Sequence, residues 1–122
     1  MIGTPLKILV ADDEQVIADT LAIILRRGGF DTFTVYDGAA AVEKARTWKP
    51  DLLLSDVMMP EMSGIEAAIE ICKMIPACRI LLFSGHAVTA DLLHDARVLG
   101  HNFEVIEKPL HPAELLARLQ AV

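Results

Sequence analysis

The sequence predicts an α/β fold, a doubly wound sheet of five parallel strands flanked by five helices. Short apolar runs alternate along the chain with segments whose apolar residues recur at helical spacing. Five such strand–helix units joined by short connections favour parallel pairing, with helices on both faces of the sheet. The length of 122 residues fits one domain. We expect this domain to occupy residues 1–122, with no linker, repeat or output domain.

Five apolar or β-rich runs are expected to be the strands. In chain order they are Leu6–Ala11, Thr32–Tyr36, Asp51–Ser55, Arg79–Ser84 and Phe103–Glu107. The third run contains three successive leucines and is the best candidate for the centre of the sheet.

The intervening segments are predicted helices with recognisable ends. They are Glu14–Arg27, Gly38–Trp48, Gly64–Met74, Thr89–Leu99 and a last helix from Pro112 to near Ala121. Gly28-Gly29 is a plausible C-terminal cap of the first helix, and Asp37 can cap the second. Ser63 and Glu66 form a capping-box pattern before the third.

Composition excludes several classes of protein. Eleven basic and seventeen acidic residues give a net charge of −6, which argues against direct binding to nucleic acid. Residues 1–7 lack the features of an export signal, and no stretch approaches the roughly 18 apolar residues of a membrane span. We therefore expect a cytoplasmic protein that does not bind membranes, in which Cys72 and Cys78 are buried, reduced thiols.

Polar side chains stand where the predicted strands end. Asp12-Asp13 follow the first strand, Asp56 follows the third, Ser84 ends the fourth and Lys108 follows the fifth. The carboxyl ends of the strands form the ligand-binding edge of an open α/β sheet. In the flavodoxin-like strand order 2-1-3-4-5 the first and third strands are neighbours, so the three carboxylates converge.

The convergence of these groups indicates a divalent cation and a phosphoryl group. Crowded carboxylates repel one another unless a cation or proton is present, and hard oxygen ligands suit Mg²⁺. Each residue also has a simpler explanation. Asp12-Asp13 can cap the first helix and stabilise its dipole, and Asp56 can be a loop acid. Ser84 can be a turn residue at a strand end, and Lys108 a solvated surface charge. The joint placement of these residues at four strand ends favours a site for a divalent cation and a phosphoryl group.

The chain resembles the receiver domains of two-component response regulators, including those of chemotaxis, over its whole length. Asp56 to Gly64 is close to the family pattern D-x-x-M-P-x-M-x-G. The other matching stretches are Ile8 to Glu14, Ser84-Gly85 and Lys108-Pro109-Leu110.

The resemblance implies a role for each matching residue. Asp56 would be the phosphoacceptor, Lys108 would pair with its carboxylate and then with the phosphoryl group, and Ser84 would hydrogen-bond that group. Gly85 would leave room for the phosphoryl group to approach. Mg²⁺ would be held by Asp13, Asp56 and the backbone carbonyl of Met58, with Asp12 acting through water.

The resemblance also implies the partners. The donor would be the phosphohistidine of a sensor histidine kinase or phosphotransfer protein, and the domain would catalyse its own phosphorylation and dephosphorylation rather than act as an enzyme on another substrate. Phosphorylation would shift the face formed by the last two helices and the strand between them, which controls a downstream protein. A phosphorylation-dependent dimer through the last helices is left open.

Two departures from the family pattern concern the switch and the phosphoryl lifetime. Val105 stands where receivers commonly have Tyr or Phe, and the stretch before Lys108 has one extra residue. We expect a longer loop or a bulged strand, with Phe103 either a substitute aromatic or a simple core residue. Met58 and His86 flank the site and are expected to tune the access of water to the acyl phosphate.

Two rival functions remain. Asp12, Glu14 and Val16 weakly echo the D-x-D-x-[TV] motif of haloacid dehalogenase phosphatases, although the second acid is a glutamate. A receiver-like module that binds a partner without phosphorylation is the other rival, and such modules usually lose an acid or the lysine. His94, His101 and His111 are predicted to be ordinary surface residues, without metal-binding spacing.

Overall fold

Five parallel strands form one sheet with helices on both faces. The computed structural model describes residues 5–85, 89–101, 103–108 and 111–120, with only the backbone for 89–93 and 120. The strands are β1 Lys7–Ala11, β2 Asp31–Val35, β3 Leu52–Asp56, β4 Arg79–Ser84 and β5 Glu104–Glu107. The helices are α1 Gln15–Arg27, α2 Gly38–Trp48, α3 Gly64–Met74, α4 Thr89–Val98 and α5 Pro112–Gln120. The strand order β2-β1-β3-β4-β5 confirms the predicted fold.

Differences between predicted and observed strands are confined to their ends. β3 extends through Asp56, which pairs with Phe83 of β4, because backbone pairing continues where the apolar run stops. β2 begins at Asp31, which pairs with Lys7. β5 begins at Glu104, so the prediction that Phe103 belongs to the strand is wrong. The end predicted near Ala121 lies outside the described residues.

Side-chain caps mark the beginnings of α2 and α3. The Asp37 carboxylate accepts a 2.6 Å hydrogen bond from the Ala40 amide, and Ser63 forms the predicted capping box with Glu66. Asp12-Asp13 do not cap α1, because Glu14 occupies the N-cap position without a side-chain cap bond. The capping explanation of the two aspartates is therefore wrong.

Alternate residues of the strands supply two hydrophobic layers. One layer, which includes Leu9, Leu53 and Leu82, packs against α2 and α3. The other, which includes Val10, Leu54 and Phe83, packs against α1 and α5. Because the strands are buried on both faces, their register is fixed and their carboxyl ends form a single edge. No described helix has the length and hydropathy of a bilayer span.

Candidate functional site

The predicted site residues lie together at the carboxyl edge of the sheet. Asp12 directly follows β1, Asp56 and Ser84 are the last residues of β3 and β4, and Lys108 directly follows β5. Parallel pairing aligns these ends, since Ser84 is the register partner of Glu107, the residue before Lys108. Four strand ends thus bring their polar residues into one cleft.

Three carboxylates form the acidic part of the cleft. One oxygen from each of Asp12, Asp13 and Asp56 lies within 4.8 Å of the other two. Asp12 has no exposed surface and Asp56 is 4% exposed, whereas Asp13 is exposed to solvent. The cluster is therefore reachable from solvent through Asp13, while the other two carboxylates are withdrawn from water.

Asp12 shows the electrostatic cost of this arrangement. Burial raises the pKa of Asp12 from its ordinary value of 3.8 to about 6. The Glu14 amide, which donates a 2.9 Å hydrogen bond to Oδ1, opposes this rise, as does Lys108. The neighbouring Asp56 and Asp13 carboxylates add to it by like-charge repulsion.

Asp56 is held by one contact to each carboxylate oxygen. Oδ2 lies 3.2 Å from the Lys108 ammonium nitrogen, which also lies 5.4 Å from the centre of the Phe83 ring. Oδ1 accepts a 3.2 Å hydrogen bond from the Met58 amide. The carboxylate is thereby oriented from two sides, by a cation and by the backbone of its own loop.

Lys108 and Ser84 are coupled through the backbone. The Lys108 amide donates a 3.0 Å hydrogen bond to the Ser84 carbonyl oxygen, and the Ser84 side chain is buried. A Cβ added at Gly85 would lie 3.5 Å from Lys108 Cβ, an ordinary van der Waals contact. Ser84, Gly85 and Lys108 therefore line one side of the cleft, and their predicted roles stay predictions.

A divalent cation fits the acidic cluster. Asp12 Oδ2 is buried and has no hydrogen-bond partner in the part of the chain that the structure describes. A buried carboxylate oxygen without a partner is costly unless a cation or water compensates it. Because the donor set consists of oxygen atoms alone, it suits Mg²⁺ better than softer metals.

Some predicted residues lie apart from the cleft. Phe103 precedes β5, at the opposite end of that strand from Ser84, and stacks on His101 with ring centres 5.4 Å apart. The register of β5 runs without a break from Glu104 to Glu107, so the extra residue lies in the preceding loop rather than in a bulge. Val105 is half-buried, and whether Phe103 replaces the usual aromatic stays a prediction.

The other predicted residues bear on the site less directly. Met58 is 44% exposed beside Asp56. His86, Pro109 and Leu110 lie outside the described residues. Among the described residues, no histidine belongs to a cluster of metal-binding groups.

The cysteines lie away from the cleft. Cys72 and Cys78 are free thiols, but only Cys78 is buried and Cys72 is half-buried. Burial raises the pKa of the Cys78 thiol to about 12, so it is a poor nucleophile.

Sequence reasoning did not single out two neighbours of Asp56. The Phe83 ring lies against Lys108, and Gly64 lies against the backbone of Asp56, where an added Cβ would stand 2.1 Å from the Asp56 carbonyl oxygen. Gly64 is the last residue of the D-x-x-M-P-x-M-x-G pattern, which was the available signal for it. Phe83 carried no signal beyond its place before Ser84.

Comparison with known proteins identifies the family. Residues 8–120 match the model of the response regulator receiver domain. The chain belongs to this family. It is 40% identical over 119 residues to the alkaline phosphatase synthesis transcriptional regulatory protein PhoP of Bacillus subtilis, an alignment that covers 95% of this chain and 48% of PhoP. The receiver therefore spans about half the length of the curated relatives it matches.

Solved receiver structures share its architecture. Chemotaxis protein CheY4 of Vibrio cholerae superimposes with a TM-score of 0.85 at 27% identity, covering 98% of this chain and 99% of that one. The receiver domain of sensor histidine kinase PA1611 from Pseudomonas aeruginosa gives a TM-score of 0.80 at 26% identity, with 97% of each chain covered. That structure has a magnesium ion coordinated in its active-site cleft. The family match favours a receiver over a haloacid dehalogenase phosphatase.

Proposed function

We propose that this receiver is the phosphoacceptor of a two-component or phosphorelay system and that Asp56 takes the phosphoryl group. The placement of Asp56 carries the proposal. Its carboxylate is buried at the carboxyl edge of the sheet, 3.2 Å from the Lys108 ammonium and beside the carboxylates of Asp12 and Asp13. An oriented carboxylate beside a cation is suited to nucleophilic attack on phosphorus.

The transfer is a single displacement at phosphorus. A carboxylate oxygen of Asp56 forms a bond to the phosphorus of a phosphohistidine, and the phosphorus–nitrogen bond breaks with its electron pair passing to the imidazole. Lys108, first paired with the carboxylate, then pairs with a phosphoryl oxygen. The Ser84 hydroxyl, at the end of β4, donates a hydrogen bond to another phosphoryl oxygen. The donor belongs to a sensor histidine kinase or a phosphotransfer protein.

Asp13, Asp56 and the backbone carbonyl of Met58 would hold Mg²⁺, with Asp12 acting through water. When bound, the ion neutralises charge on the phosphoryl oxygens as it develops. The unpartnered Asp12 Oδ2 and the three clustered carboxylates support this assignment. So does the likeness to the receiver of PA1611, whose cleft contains magnesium.

The output is a shift in conformational population rather than a released product. The phosphoryl group adds about 1.5 to 2 negative charges and new acceptor oxygens beside Ser84 and Lys108. Ser84 ends β4 and Lys108 follows β5. We therefore propose that phosphorylation shifts the face formed by α4, β5 and α5, and that this face controls a downstream protein. The net charge of −6 argues against direct binding of this domain to nucleic acid. The proposal includes a cytoplasmic location, where Cys72 and Cys78 stay reduced.

Intact-protein mass after incubation with phosphoramidate, a small phosphorus–nitrogen donor, tests the proposal. The wild type is expected to gain one phosphoryl group with Mg²⁺ and none with a chelator. Asp56→Asn should gain none. Asp31→Asn is the matched control, because Asp31 is an exposed carboxylate at the opposite edge of the sheet, and it should behave as the wild type. If the wild type binds Mg²⁺ but gains no phosphoryl group, a phosphorylation-independent binding module replaces this function.

A further inference from the structure

The loop between Asp56 and α3 is enclosed by two glycines. On one side Gly64 lies against the Asp56 backbone, as described above. On the other side lies Gly38, the first residue of α2, where an added Cβ would stand 2.7 Å from the Met62 carbonyl oxygen and 2.9 Å from Met62 Cβ. Real Cβ atoms do not approach other heavy atoms this closely, so an alanine at position 38 would displace the loop.

Side-chain rotation cannot relieve that contact. The two nearest atoms are the backbone oxygen and the Cβ of Met62, and both move only with the main chain. The adjoining backbone is already constrained, because Glu61 has a φ of +67° and the Met62 amide donates a 2.7 Å hydrogen bond to the Pro60 carbonyl oxygen. Glutamate adopts such a φ only at a cost, so this turn has little freedom to adjust.

The amino end of α2 is itself firmly placed. Asp37 caps the helix through the Ala40 amide, and the Asp37 carbonyl accepts a 3.1 Å bond from the Ala41 amide. Ala41 and Ala45 are fully buried in the layer that also contains Val57 and Met59 of the loop. Gly38 therefore presents a fixed backbone surface to Met62.

We propose that Gly38 is a positioning residue for the phosphoacceptor loop. The Gly64 amide donates a 2.9 Å bond to the Val57 carbonyl oxygen and ties the loop to the start of α3. A displacement imposed at Met62 is therefore absorbed between positions 58 and 62. Met58 lies in that interval, and its amide orients the Asp56 carboxylate. The inference rests on the proposed function, in which the Met58 carbonyl also faces Mg²⁺.

Gly38→Ala is the direct test, with Mg²⁺ affinity measured by calorimetry and phosphorylation by intact mass with phosphoramidate. We expect Mg²⁺ affinity to fall by about tenfold, which is typical when the support of a metal ligand is disturbed. Gly28→Ala is the matched control, since its added Cβ would meet the flexible end of Leu116 at 2.8 Å and the Leu25 carbonyl oxygen at 3.3 Å, and neither residue belongs to the phosphoacceptor loop. It should leave Mg²⁺ affinity within about twofold of the wild-type value.

A rescue variant separates positioning from a general loss of stability. In Gly38→Ala/Glu61→Gly, glycine at position 61 lets the turn adjust locally, so most of the lost Mg²⁺ affinity should return. Unchanged affinity in Gly38→Ala would overturn the inference, and so would equal losses in Gly28→Ala or no recovery in the double variant. The affinity measurement needs no phosphoryl donor, so it tests the role of Gly38 separately from the proposed function. A wild type that binds Mg²⁺ but is not phosphorylated would refute the proposed function and leave the test of Gly38 valid.

Discussion

Asp12 shows at the scale of one residue how burial prepares the cleft for a cation. Its side chain has no exposed surface, Oδ1 accepts the Glu14 amide, and Oδ2 has no partner among the described residues. Burial raises the pKa of Asp12 to about 6. At neutral pH the carboxylate is therefore charged at the expense of stability, a cost that a bound cation would offset.

Asp12→Asn should raise the free energy of unfolding at pH 7 in the presence of a chelator. The pKa of Asp12 is higher in the folded chain than its ordinary value of 3.8. The contribution of the Asp12 carboxyl group to the free energy of unfolding is therefore greatest below pH 3.8 and is lost as the pH rises through about 6. Removing the charge should recover up to roughly 3 kcal/mol at pH 7.

Urea unfolding of both proteins from pH 3.5 to pH 7.5 measures this effect. The two stability curves should converge at the acidic end and separate between about pH 4 and pH 6. Asp31→Asn, which removes an exposed carboxylate, should show no such separation. A chelated Asp12→Asn protein less stable than the wild type at pH 7 would contradict the assignment.

At the scale of elements, Glu104 joins β5 to β4 and to α5. It begins β5, a four-residue strand at the edge of the sheet. Its carboxylate lies 2.6 Å from an Arg79 nitrogen at the start of β4 and 3.2 Å from Arg118 of α5. The Arg79 hydrogen bond, with help from Arg118, lowers the pKa of Glu104. A short edge strand is thus tied to its neighbouring strand and helix.

Glu104→Gln should lower the free energy of unfolding at neutral pH by up to about 1 kcal/mol, since the pairs are partly exposed. The pKa of Glu104 is lower in the folded chain than its ordinary value of 4.5. The contribution of the Glu104 carboxylate to the free energy of unfolding is therefore present above pH 4.5 and is lost as the pH falls through the pKa of the folded chain. Urea unfolding at pH 7 and in the acid range, at low and high salt, measures the loss.

Glu70→Gln is the matched control, because Glu70 pairs with Lys73 at 3.4 Å on the exposed side of α3. It should change stability little at any pH. A loss in Glu104→Gln that persists unchanged into the acid range would show that packing rather than charge pairing is responsible.

For the whole molecule, we expect an acidic cleft on a chain of net charge −6 to link cation binding to folding. Mg²⁺ should raise the free energy of unfolding by about 1.4 kcal/mol when its concentration is ten times the dissociation constant. Asp13→Asn should largely lose this response. Sodium chloride at matched ionic strength is the control for general screening. Equal stabilisation by both salts, or by Mg²⁺ in wild type and variant alike, would argue against a specific site.

Sequence patterns predicted the architecture because strand runs, helix caps and polar strand ends are local signals. Asp37, Ser63 and Glu66 were predicted as capping residues, and the structure confirms them. The convergence of Asp56 and Lys108 was also predictable, since parallel strands share one carboxyl edge.

Other features depend on packing that no local pattern encodes. The contact of Gly38 with Met62 and the pairing of Glu104 with two arginines join segments distant in sequence. From sequence alone, the extra residue before Lys108 was compatible with either a longer loop or a bulged strand. The unbroken register of β5 was needed to distinguish the two, and it favours the loop.

Borohydride trapping of the phosphorylated protein tests the central claim most directly. Borohydride reduces an acyl phosphate to an alcohol, so a phosphorylated aspartate becomes homoserine, which peptide mass analysis locates. After treatment with phosphoramidate and Mg²⁺, we predict homoserine at position 56 and at neither position 12 nor position 13. Homoserine at either of those aspartates, or its absence from a protein that has gained a phosphoryl group, would contradict the assignment of Asp56 as the phosphoacceptor.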